Sequence, residues 1–254
     1  MGTVSIIAIN TFRETIRNKV LYNVLLFAGI IISLSVSFGK WSVFARIQVM
    51  EDFGLATMSI SGLLLAVFIG VAMLGKEVNN KTVYLMASKP IKRSYIIIGK
   101  YLGLIISLLI NYVIMTLFLY VSLILIGGKI DYRINYAIIL IMCEMAIIVS
   151  VALFFSIITT STLSAILTIA FYILGHFNDL VDINQPEVLH RLLVIFLKII
   201  HYLLPSLGYF NIRTPVVYNL PVSLEYVLYT ILYGLLYTTL FVYISCLLFT
   251  KKDL

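Results

Sequence analysis

Glu144 is an acidic residue deep inside a long apolar run, about ten residues into the stretch 134–158. A charged side chain near the middle of a bilayer costs about 2.5 kcal/mol or more, so a carboxyl group at such a position is a functional candidate by default. The alternative is a protonated carboxyl group that holds the helices together by a hydrogen bond to Asn111, Tyr112 or Thr116 of the preceding run. Both interpretations stay open, and Glu144 and Asn111 are the intramembrane polar candidates.

The other residues that could do chemistry do not form a catalytic or metal-binding pattern. Cys143 and Cys246 lie in apolar runs, where a cysteine packs as a small apolar side chain. His176, His190 and His201 are not spaced as a ligand set. The sequence also lacks the nucleophile-elbow, zinc-protease and phosphate-loop motifs. We therefore expect no catalytic residue, metal or cofactor in this chain.

The densest polar segment is 76–93, which predicts a short helix over 80–87. The helix is expected to end before Pro90, because the residue that precedes a proline is driven out of the helical region. Three side chains of this segment are apolar: Val83, Leu85 and Met86. They need a surface to bury against, which is either the membrane surface or a cytoplasmic protein partner.

Membrane-spanning helices must position these residues, because 62% of the 254 residues are hydrophobic and only 11% are charged. Soluble domains are about one quarter charged. Apolar runs of about 20 residues mark spanning helices. We predict an all-α polytopic membrane protein with six transmembrane helices, at 20–38, 54–75, 101–126, 134–158, 162–176 and 226–249. No room is left for an ATPase domain, so any energy comes from a gradient or a partner.

Residues 1–19 predict an amphipathic helix instead of a cleaved signal peptide. Ile9, Phe12 and Ile16 recur on one face of such a helix, while the basic residues take another face. A helix with this pattern lies in the interface with its apolar face towards the lipid tails. We expect it on the cytoplasmic surface, before the first span.

The segment 188–204 is long enough to span a membrane, but Arg191, Lys198 and His201 share one side of its helix. Such a helix is expected to lie in the interface or to enter the membrane only part-way. It belongs to the region 177–225, which several prolines interrupt. We predict an extracytoplasmic re-entrant or interfacial region here, before the last span.

The distribution of charge orients the chain. With both termini in the cytoplasm, the inner segments carry 11 Lys and Arg residues and the outer segments carry 7. This asymmetry obeys the positive-inside rule and places all three histidines on the outer side. The excess of cations is therefore explained by topology and lipid headgroups, and we expect no nucleic-acid partner.

The polar segment and the residues after it resemble the permease subunits of type-2 ABC transporters (ABC-2 exporters). The matching residues are Glu77, Lys81-Thr82, Leu85, Ser88-Lys89-Pro90-Ile91-Lys92-Arg93 and Ile98-Gly99-Lys100-Tyr101-Leu102-Gly103. Lys81 stands where the family usually has a glycine. The arrangement of the whole chain is similar too, most of all to the branch that contains the copper-site maturation permeases of nitrous oxide reductase.

The resemblance implies a multi-pass subunit of a prokaryotic plasma membrane that pairs with a second copy of itself. It also implies a separate ABC ATPase subunit that holds ATP and Mg, and it allows an extracytoplasmic accessory protein. The stretch 76–100 becomes the cytoplasmic coupling loop, whose helix 80–87 docks on the ATPase. The coupling residues are then Glu77, Asn80, Lys81, Thr82, Val83, Tyr84, Leu85 and Met86.

Two other functions stay open. The chain could be a mechanical transmitter or anchor that links a cytoplasmic ATPase to an extracytoplasmic maturation protein without passing a substrate. A gradient-driven carrier is the second alternative, but it would need intramembrane charges in both halves of the chain. Because the spans hold few polar residues, we expect a lipid-like or hydrophobic substrate, or none.

Overall fold

A computed structural model describes residues 2–17, 19–41, 46–79, 92–128, 131–177 and 204–251. Every regular element in these ranges is helical. In chain order the helices are α1 (Thr3–Arg17), α2 (Lys19–Trp41), α3 (Arg46–Asn79), α4 (Arg93–Leu125), α5 (Arg133–Ile158), α6 (Ser161–Phe177), a 3-10 helix (Leu207–Phe210), α7 (Arg213–Val217) and α8 (Leu224–Lys251).

Four helices of the described ranges are long and apolar enough to cross a membrane. They are α3 through its part Arg46–Phe68, α4, α5 and α8. Two shorter apolar stretches are Val24–Leu34 within α2 and Ser161–His176 within α6. The structure thus supports the second, third, fourth and sixth predicted spans by length and composition, while crossing by α2 and α6 stays a prediction.

Helices α3 and α4 extend well beyond the apolar runs that predicted them. The apolar runs 54–75 and 101–126 lie within helices of 34 and 33 residues. Each is about 50 Å long, against about 30 Å for the hydrocarbon core of a bilayer. Lys, Arg and Glu are good helix formers. The helix can therefore continue through the charged residues that flank each apolar run.

The long helices define two ends of the bundle. Ile47 of α3 packs near Gly128, and Met58 receives a hydrogen bond from Tyr112, so α3 and α4 are antiparallel. We call the end where α3, α5 and α8 begin the distal end. The coupling end is the opposite one, where α3 stops at Asn79 and α4 starts at Arg93.

Helix α5 lies at the centre of the bundle and packs against α3, α4, α6 and α8. It is apolar on all sides, as a helix surrounded by other helices must be. Gly62 of α3 allows the closest approach, because a side chain there would collide with the Tyr112 hydroxyl and with Met145. Three helices therefore interlock at the level of Gly62.

Helix α1 forms where the sequence predicted it, but it contacts the protein through a different face. Its buried residues are Ala8, Thr11 and Thr15, whereas the predicted apolar face of Ile9, Phe12 and Ile16 is only half-buried. The buried residues are small because α1 packs very closely on α4, as described below. A surface location for α1 is still a prediction.

Candidate functional site

The predicted coupling residues fall at the end of α3 and beyond it. Glu77 lies in the last turn of α3, which ends at Asn79. The other predicted coupling residues, 80–86, lie outside the described residues, as does the rest of the predicted coupling helix. The structure does describe the two helices that carry this segment, and both extend about 20 Å further than a bilayer core requires.

The motif around Lys100 has a packing role in the structure. A Cβ atom at Gly99 would lie 2.7 Å from the Ile7 side chain, and one at Gly103 would lie 2.6 Å from the Ala8 carbonyl oxygen. Glycines four residues apart let two helix backbones approach closely. Lys100, between them, is almost fully buried. The motif therefore fixes α1 against the coupling-end part of α4.

Glu144 lies about 16 Å along α5 from the distal end and is only 2% exposed. Its Oε1 atom is 3.4 Å from Nε2 of His176 in α6. That distance exceeds the usual 2.7–3.2 Å of a hydrogen bond, and Oε1 has no hydrogen-bond partner among the described residues. The two groups form a close electrostatic contact inside the bundle.

The His176 ring has a second contact within α6. Its Nδ1 atom lies 3.2 Å from the carbonyl oxygen of Tyr172, which can only accept, so the two form a hydrogen bond when Nδ1 carries a proton. Nε2 is then the ring nitrogen that faces the Glu144 carboxyl group.

The hydrogen bond predicted for Glu144 is not formed to any of its three expected partners. The Tyr112 hydroxyl donates to the carbonyl oxygen of Met58, and Thr116 donates to the carbonyl oxygen of Tyr112. Both polar atoms of the buried Asn111 amide lack a partner among the described residues. Tyr112 is close to Glu144, but its hydroxyl is already used to bond α4 to α3.

Sequence reasoning missed His176 and Tyr172 and placed His176 on the outer side. Helix α6 has 17 residues, about 25 Å, and its first turn is held at the coupling end, where Ser164 donates to the carbonyl oxygen of Ala152. Its last turn therefore reaches only the depth of Glu144. The available signal was the shortness of this run, with Tyr172 and His176 one turn apart on the same face.

Part of the predicted re-entrant region is described, and it enters the bundle. A Cβ atom at Gly175 would lie 2.7 Å from Leu207, and Phe210 packs on Gly234 of α8, which also faces Cys143. Cys143 and Gly234 each lie ten residues, about 15 Å, from the distal ends of their helices. Residues 188–203 lie outside the described residues.

The described segment 204–212 packs beside the Glu144–His176 contact. Leu207 and Phe210 are fully buried, and Leu207 packs on Gly175, the direct neighbour of His176, while Phe210 packs on Gly234 of α8. The Ser206 N–H donates to the Tyr233 hydroxyl at 3.0 Å, which satisfies a buried backbone group. Glu144 is thus buried, whereas the His176 side chain is 26% exposed.

Polar contacts tie the chain together nearer the distal surface. Nε of Arg213 is 2.7 Å from Oδ1 of Asp52, which joins α7 to α3. Arg133 donates to the carbonyl oxygen of Asn219 at 3.1 Å, next to the left-handed turn at that asparagine. These partly exposed contacts hold the segment 213–219 against the distal ends of α3 and α5.

The described residues contain no group of three His, Cys, Asp or Glu side chains placed to share a metal ion. A carboxyl group and an imidazole can exchange one proton, which is the chemistry that the Glu144–His176 contact supports.

The fold and the site define an all-helical, multi-pass membrane protein with a buried polar contact and long helices on either side of a polar segment. The profile of the family described as "ABC-2 family transporter protein" matches residues 5–254. The chain belongs to this family, whose members span the membrane, are generally not catalytic and typically work with an ABC ATPase. A search among curated proteins finds none that matches the chain.

Proposed function

We propose that this protein is the permease subunit of an ABC-2 transporter, driven by a separate ABC ATPase through the segment 80–87. The observation that carries the proposal is the continuation of α3 to Asn79 and the start of α4 at Arg93, which hold the two ends of this segment four and eight residues, about 6 and 12 Å, beyond the predicted spans. Rigid helices of this length transmit a shift of a docked segment into the membrane. The tight packing of α1 on Gly99 and Gly103 stiffens α4 where the shift would enter.

The finer assignment follows the resemblance of the sequence. The subunit pairs with a second copy of itself, and each copy receives one ATPase subunit that binds ATP and Mg. Six spans with both termini in the cytoplasm of a prokaryotic cell agree with the 11 inner cations against 7 outer ones. The resemblance to the maturation permeases of nitrous oxide reductase supports that branch of the family.

The test is the replacement of Leu85 or Met86 by aspartate in the full-length chain. Each change should remove the ABC ATPase subunit from the complex purified from native membranes, while the chain still inserts. Leu220→Asp, at an exposed position on the distal side, is the matched control and should keep the ATPase. A complex with full ATPase content and activity in the Leu85 and Met86 variants would refute the proposal.

A second function is favoured by the enclosed interior of the bundle. Leu207 and Phe210 fill the interior beside Gly175 and Gly234, which is the packing expected of a mechanical transmitter that passes no substrate. Such a protein would bind an extracytoplasmic maturation factor at its distal end. Purification of the intact complex separates the two functions, because a stoichiometric extracytoplasmic protein supports the transmitter and its absence supports the permease.

A further inference from the structure

A groove of about 500 Å³ runs between α4 and α8 near the coupling end. Typical ligand sites have volumes of about 300–1,000 Å³. The groove is open towards the outside of the bundle, since Thr239, Tyr243 and Thr250 on its wall are exposed. It therefore faces the lipid and is separate from the Glu144–His176 contact.

The walls of the groove present almost only apolar surface, to which Ile98, Val242 and Leu247 contribute. The hydroxyl groups of Thr239 and Thr250 donate to carbonyl oxygens of their own helix. None of the described residues that line the groove is charged. Such walls suit a hydrocarbon chain.

Basic residues flank the start of α4 and the end of α8, next in sequence to residues that line the groove at the coupling end. Lys92 and Arg93 directly precede Ser94, and Lys251 directly follows Thr250. Lys92 and Lys251 are exposed, and Nζ of Lys92 lies 6.0 Å from the centre of the Tyr95 ring. The positive charge at this end of the groove is complementary to an anionic headgroup at the membrane surface.

We propose that this groove binds an anionic phospholipid from the leaflet at the coupling end. One acyl chain lies between α4 and α8, and the headgroup phosphate contacts Lys92, Arg93 and Lys251. Leu228, Leu232 and Leu235 on the part of α8 nearer the distal end are exposed and lie outside this groove. The proposal does not depend on which substrate the protein moves, or on whether it moves one.

The test measures lipid that the purified full-length protein retains, by native mass spectrometry, with phosphatidylglycerol or phosphatidylcholine of identical acyl chains. The unchanged protein should retain phosphatidylglycerol in preference. The combined variant Lys92→Gln, Arg93→Gln and Lys251→Gln should weaken this binding roughly a hundredfold, because each cation near an anionic surface contributes about fivefold. Thr239→Trp, which fills the groove without removing charge, should also abolish retention.

Two matched controls make the outcomes decisive. Arg13→Gln, Arg17→Gln and Lys19→Gln together remove three exposed cations near the coupling end but away from the groove, and this variant should bind normally. Leu235→Trp adds the same bulk to α8 outside the groove and should bind normally too. Equal losses in both triple variants, equal retention of the two lipids, or full retention in Thr239→Trp would each overturn the proposal.

Discussion

A carboxyl group in a long apolar run, such as that of Glu144, needs a polar partner nearby because burial of an unpaired charge is costly. In the structure the nearby group is the His176 ring of the following helix, while the Asn111 amide has no hydrogen-bond partner among the described residues. The sequence identified the acid but not its partner. A histidine at the end of a short apolar run has the pattern of an interface residue, and only the packing of α6 on α5 reveals its depth.

At the residue scale, the contact predicts energetic coupling between Glu144 and His176. Glu144→Gln and His176→Gln should each destabilise the protein by about 1 kcal/mol or more, because each removes one partner of the electrostatic contact between α5 and α6. The double variant should cost less than the two single costs together, with a coupling energy of about 0.5–3 kcal/mol. Unfolding in mixed micelles measures all three variants.

Glu225→Gln is the control for this experiment, since it makes the same chemical change at an exposed acid near the start of α8. It should alter stability by less than about 0.5 kcal/mol. Strict additivity of the Glu144 and His176 substitutions would show that the two groups do not interact.

At the scale of elements, α1 shows what a hydrophobic pattern can and cannot predict. The pattern gave the helix itself, because apolar residues recurred at helical spacing. It could not identify the face that packs on protein, because that face is chosen by small size rather than by hydropathy. Ala8 and Thr11 are buried since Gly99 and Gly103 leave room for the backbone of α1. The spacing of these two glycines was the available signal.

The α1–α4 packing predicts opposite effects for the same substitution at two glycines. Gly103→Ala should destabilise the protein and expose α1 to trypsin at Arg13 and Arg17, because the new Cβ would meet Thr11 at 2.6 Å. Gly29→Ala, where nothing lies within 4 Å of the Cβ position, should stabilise α2 by up to about 1 kcal/mol. Thermal unfolding and limited proteolysis measure both, and equal behaviour of the two variants would contradict the packing.

At the scale of the molecule, the sequence predicted an all-helical membrane protein, and the described residues agree. Four of the six spans meet the criteria of length and hydropathy, while α2 and α6 contribute shorter apolar stretches. The difference has a physical cause at α6. Leu207 packs on Gly175 near the end of α6, so α6 need not reach the far surface to be covered. A count of apolar residues in the sequence cannot show which segment packs on the end of α6.

The distal end and the coupling end should react with a thiol label from opposite sides of the membrane. In a chain without its native cysteines, Leu220→Cys should react with a membrane-impermeant maleimide in intact cells, because Leu220 is exposed near the distal end. Lys92→Cys, which is exposed at the coupling end, should react only after the membrane is permeabilised. The reverse pattern would mean that the coupling segment faces away from the cytoplasm and from any ATPase there.

The contact between α1 and α4 also sets an order of events during synthesis. Thr11 cannot form its contact with Gly103 until Gly103 has been synthesised, roughly 5 to 20 s later at ordinary rates of translation. During that interval the half-buried face of Ile9, Phe12 and Ile16 is what can keep α1 at the membrane interface. Helix α1 thus docks only after the fourth helix has been made, and its two faces serve successive stages of assembly.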